Sequence, residues 1–134
     1  MRAYLEDEEG HQAARALLAE DEYSFVTGAW SRIEVSGALV RAARGGRVAL
    51  EGLLELLDIE LGGPVTVVHA DPEFVQESSL DLVRAHGLRT LDAWHLSTAR
   101  LTVPSLADPG EPVAFATRDE EQGAVAEELG FARI

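Results

Sequence analysis

The sequence predicts an α/β fold built on a mostly parallel sheet, and three observations carry the prediction. Short β-branched and aromatic runs at 23–26, 65–68 and 113–116 alternate with longer stretches of helical spacing. Gly residues stop four of the helical stretches, at Gly45-Gly46, Gly62-Gly63, Gly87 and Gly130. With 134 residues and 46 % apolar side chains, the chain can bury one core without staples.

Residues 8–19 are rich in helix formers and place Ala13, Ala14, Leu17 and Leu18 at helical spacing. The run 23–26 reads as a strand that Gly28 breaks. Residues 29–44 carry Trp30, Ile33, Gly37 and Val40 on one helical stripe, and Gly45-Gly46 stops them. Residues 47–60 predict another helix through Leu50, Leu53, Leu54 and Leu57, ended by Gly62-Gly63-Pro64. Residues 65–68 are the clearest strand. Asp71-Pro72 opens a helix that runs to about His86 and stops at Gly87.

Thr90 is the expected cap of a helix over 91–102, with Leu91, Trp94, Thr98 and Leu101 on one stripe. Pro109, Gly110 and Pro112 mark a loop before the strand 113–116. Thr117 to Glu120 has capping-box spacing, which predicts a helix that continues to Leu129 and stops at Gly130. Residues 131–134 form a candidate last edge strand. In such sheets the functional crevice lies beyond the carboxyl ends of the strands, where Asp119 falls.

Composition excludes much chemistry. There is no Cys, so disulfides, thiol catalysis and Cys-based zinc sites are out. All 11 basic residues are Arg, so no Schiff base or P-loop Lys exists. A net charge of −13 argues against coating nucleic acid by bulk attraction, but leaves room for phosphate contacts through a bound cation. No apolar run reaches the roughly 18 residues of a membrane span, and the start lacks a signal-peptide core. A cytoplasmic protein is expected. No G-x-G-x-x-G, P-loop or G-x-S-x-G motif occurs, and the four His residues make no H-x-x-x-H pair.

Three acids stand out: Glu34 at the border of an apolar stripe, Asp92 in a first helical turn, and Asp119 after a strand. Each has a competing structural reading: Glu34 as a solvated mid-helix acid, and Asp92 and Asp119 as first-turn acids that interact favourably with the helix dipole. The strings around them decide more. Phe25-Val26-Thr27 with Ser31-Arg32-Ile33-Glu34-Val35, then Leu88 to Ala99 with its L-x-x-x-D-A-x-H-L-x-x-A spacing, then Phe115-Ala116-Thr117-Arg118-Asp119 resemble the signature blocks of PIN-domain ribonucleases. The resemblance is nearest to the VapC-type toxins of bacterial toxin–antitoxin pairs and covers essentially the whole chain.

The resemblance implies a three-layer α/β/α domain with a central parallel sheet of about five strands. It implies a metal-dependent endoribonuclease in which Glu34, Asp92 and Asp119 hold Mg²⁺ or Mn²⁺, with Thr117 as a nearby hydroxyl. His95 is expected to support helix packing. The implied partners are an RNA substrate, a cognate antitoxin with an Arg-bearing tail, and a second copy in a homodimer, with no membrane. Because Glu34, Asp92 and Asp119 lie 58 and 27 positions apart, only the fold can gather them.

The family pattern begins with a strand ending in Asp. Here Arg2-Ala3-Tyr4-Leu5 resembles the tail of the helix that follows that strand. The expectation is a single PIN-like domain over 1–134 that is truncated at its N-terminus, with Met1 standing where a Val or similar residue belongs. A second function stays open on these grounds: a catalytically impaired PIN-like module that binds protein or RNA.

Overall fold

The computed structural model describes residues 2–134, and the expectation on Met1 lies outside them. The chain packs as two compact units, Met1–Val67 and Val68–Ile134.

In the first unit a 3-10 turn over Arg2–Tyr4 precedes α1 (His11–Leu18), β1 (Phe25–Gly28), α2 (Trp30–Arg44), α3 (Leu53–Glu60) and β2 (Val65–Val68), whose last residue opens the second unit. β1 and β2 pair as a two-stranded sheet. The core gathers Ala3, Tyr4, Leu5, Val35, Leu39, Ala42 and Leu57, with Leu53, Leu54 and Leu18 packed against it. α1 packs on the N-terminal turn and α2 on α3. A polar network spans the same elements: Glu60 on α3 accepts from Tyr4 Oη at 2.5 Å and from Arg15 Nη1 at 2.7 Å.

Two starts come later than the propensities predict. α1 begins at His11 because residues 5–10 form turns, with His11 N–H donating to the Glu8 carbonyl and Gly10 at φ 82°. α3 begins at Leu53 because Gly52 takes φ 84°, a conformation open to glycine and costly for other residues. The segment before it is tied back by Arg47, which donates to both Asp7 oxygens and to Glu8.

The second unit holds α4 (Pro72–His86), α5 (Thr90–Thr102), a 3-10 turn (Val103–Ser105), β3 (Ala114–Phe115), α6 (Glu120–Glu128) and β4 (Ala132–Arg133). Its core is Leu82, Leu88, Ala93, Leu96, Val125, Ala126 and Phe131. Asp71 caps α4 through the Glu73 amide at 2.9 Å, Pro72 fills the first helical position, and Gly87 ends it at φ 72°. α4 packs on α5, and α5 on α6.

β3 and β4 are parallel, with Ala114 opposite Ala132 and Phe115 opposite Arg133. α6 is the crossover that parallel neighbours require. Backbone bonds extend the pairing past both strands, from Ala132 N–H to Val113 and from Thr117 N–H to Ile134. Gly123 lets this crossover close tightly: a Cβ there would meet the Arg133 side chain at 2.7 Å.

The α/β class and parallel pairing agree with the sequence. Among the described residues, β1 pairs with β2 in one two-stranded sheet and β3 with β4 in another. The expected stripes of two helices are rotated. α2 buries Val35, Ala38, Leu39 and Ala42, while Trp30 and Ile33 are exposed. α5 buries Ala93, Leu96, Ser97 and Thr98, while Leu91 and Leu101 are exposed. The buried face of each is the one its neighbouring helix covers, and small residues there permit close approach.

Candidate functional site

Asp92 is the third residue of α5, after Thr90 and Leu91. The expected Thr90 cap does not form. Arg89 occupies the cap position without a side-chain bond, and Thr90 is already helical. The helix is instead anchored by apolar contact, with Leu88 before the cap and Ala93 in the next turn sharing the core. Asp92 is half-buried in that first turn.

Asp119 caps α6, its Oδ1 accepting from the Gln122 amide at 2.9 Å. This corrects the expected box from Thr117 to Glu120. The cap lies two residues later, because Asp119 and Gln122 repeat the same spacing in a competing register. Thr117 keeps a part in it: its Oγ1 accepts from the Asp119 amide at 3.1 Å.

The same hydroxyl donates to Gln122 Oε1 at 2.7 Å, and Gln122 Nε2 donates to the Asp92 carbonyl at 3.1 Å. Gln122 is buried, so these bonds satisfy an amide that is costly to leave unpaired. Its side chain and backbone thus touch Thr117, Asp119 and the peptide of Asp92. Sequence reasoning missed Gln122, although its place three residues after Asp119 was the available signal.

Both acids therefore stand at helix N-termini, which favour negative charge by about 0.3–1 kcal/mol each. Their carboxylates and the Thr117 hydroxyl are all oxygen donors, the kind that suits hard divalent cations. Glu34 lies in the first unit, exposed on α2, one turn beyond the point where the Thr27 and Ser31 hydroxyls meet at 2.6 Å. Beside it, Arg32 donates to Asp58 on α3. Among the described residues, no three His, Asp or Glu side chains gather into a group that could hold a metal.

The order of elements, the parallel β3–α6–β4 unit and the two acids at helix starts can be set against known families. A family model for the PIN domain matches residues 1–128. The chain belongs to the PIN-domain family. Curated proteins offer no match to it. PIN domains are generally metal-dependent nucleases, and this PIN domain has the α/β architecture with parallel strands of its family. Among the described residues of this PIN domain, no helix is long and apolar enough to cross a membrane.

Proposed function

We propose that this PIN domain is a Mg²⁺- or Mn²⁺-dependent endoribonuclease, the VapC-type toxin of a toxin–antitoxin pair. The observation that supports this best is the linkage of Asp92, Thr117 and Asp119 through Gln122 at the start of α5 and α6. In this reading Glu34, Asp92 and Asp119 hold the cation through their carboxylates, with Thr117 beside them. When bound, the metal supplies a polarised phosphodiester and an activated water. The protein's own residues orient: the cap fixes one oxygen of Asp119, and the Thr117 proton is directed to Gln122.

The proposed partners are RNA, an antitoxin and a second copy of the chain, in the cytoplasm. A net charge of −13 suits a basic antitoxin tail. Trp30, Ile33 and Ile59, exposed on α2 and α3, supply apolar surface of the kind that partners cover.

The test is cleavage of a labelled RNA by the purified protein with Mn²⁺. Cleavage is expected, and both chelation and Asp92→Asn should abolish it while the fold is kept. An Asp92→Asn protein that cleaves like the wild type removes Asp92 from the mechanism. A second reading, an impaired module that only binds, is favoured by the commitment of Asp119 to capping. RNA bound but never cleaved by the wild type selects it.

A further inference from the structure

We propose that Gln122 is a positioning residue that sets where Asp92 and Asp119 stand relative to each other, and so how tightly this chain holds a divalent cation. The proposal rests on the metal-nuclease reading and adds a residue to it. Gln122 is 6 % exposed, and three hydrogen bonds radiate from it. Its backbone amide holds Asp119 Oδ1. Its side-chain oxygen accepts a hydrogen bond from the Thr117 hydroxyl, and that hydroxyl oxygen in turn accepts from the Asp119 amide. Its side-chain nitrogen reaches the Asp92 carbonyl, in another helix and thirty residues away in sequence.

Capping needs only the backbone amide of Gln122, which any residue but proline supplies. The side chain is superfluous to the cap and goes elsewhere, to the two segments that carry Thr117 and Asp92. An apolar side chain would pack better beside Val125 and Ala126, the buried residues of the following turn. A buried amide whose two ends each have a partner locks one spacing between those segments, since either end left unpaired is penalised. Oxygen ligands must be held near a productive geometry before the ion arrives, so loosening that spacing weakens binding without unfolding the protein.

The experiment uses the intact chain. Mn²⁺ affinity is measured by calorimetry for the wild type, Gln122→Met, Gln122→Asn and Val125→Ala, together with melting temperature and amide hydrogen exchange at Asp119. Met keeps the volume and loses both side-chain bonds; Asn keeps the amide but is too short to span both partners. Either is expected to raise the Mn²⁺ Kd at least tenfold and to speed exchange at the Asp119 amide. Val125→Ala lowers stability through the same helix and core and is expected to leave Kd within twofold. A folded Gln122→Met or Gln122→Asn protein with wild-type Mn²⁺ affinity overturns the proposal, as does equal weakening by Val125→Ala. A wild type that binds no Mn²⁺ overturns the metal reading itself and this proposal with it, an outcome told apart by the wild-type measurement alone.

Discussion

Gln122 donates its side-chain amide to the backbone carbonyl of Asp92 at 3.1 Å, across thirty positions of sequence. That bond ties the first turn of α6 to the first turn of α5. Two helix N-termini, each carrying an acid, are thereby held in one register. Neither helix could specify this alone, because the bond joins groups thirty positions apart in sequence.

Asp119 has two separable roles, and two substitutions divide them. Asp119→Asn keeps a good cap and removes the charge, so stability should stay near the wild type while Mn²⁺-dependent RNA cleavage is lost. Asp119→Ala removes both and should also cost about 0.5–2 kcal/mol of stability. Chemical denaturation alongside the cleavage assay checks this. Equal stability of the Asn and Ala proteins would show that the cap contributes nothing.

Ser97 on α5 is fully buried, and its hydroxyl has no hydrogen-bond partner. An orphaned buried hydroxyl costs about 1–3 kcal/mol, and deleting it leaves only a small void. Ser97→Ala is therefore expected to raise the melting temperature by a few degrees. A fall would mean that the hydroxyl is satisfied in solution.

Glu60 holds Tyr4 and Arg15 together. Burial, with help from the Glu60 bond and charge, pushes the Tyr4 phenol up. The sign follows: a phenol held neutral by the fold adds stability at neutral pH, and that stability is lost only as pH rises beyond the ordinary tyrosine range. Glu60→Ala leaves the buried phenol without its acceptor and is expected to cost about 1–3 kcal/mol at pH 7. Urea unfolding of the variant measures it, and a loss below the resolution of the method would argue against the network.

Arg47 fixes the turn before α1. Its guanidinium, hydrogen-bonded to Asp7, holds that carboxyl below the usual carboxylate range. A depressed folded value means the contribution is present above about pH 4 and is lost as pH falls through the lowered value. The melting-temperature gap between wild type and Asp7→Asn should be small, because the pair is exposed, and should close on acidification from pH 6 to pH 3. A gap that widens over that range would refute the assignment.

Local chemistry was legible in the residues themselves. Val65–Val68 and Pro72–His86 match their expected bounds, because Pro72 and Gly87 act within a single turn. The α/β class and the family blocks around Glu34, Asp92 and Asp119 were equally readable. β1 lies two residues later than its expected run, at Phe25–Gly28, since propensity marks a strand but pairing sets its register. The same limit explains the rotated faces of α2 and α5. Periodicity offers several apolar stripes on one helix, and only the neighbour that packs there chooses which is buried. It explains Gln122 too, a polar residue whose local spacing says cap and whose long-range bond to Asp92 says more. What the chain determined by itself were short-range choices, made by caps, left-handed glycines and residue chemistry. What tertiary structure decided were the faces, the sheet pairing and the polar link between helices, because those energies depend on groups far apart in sequence.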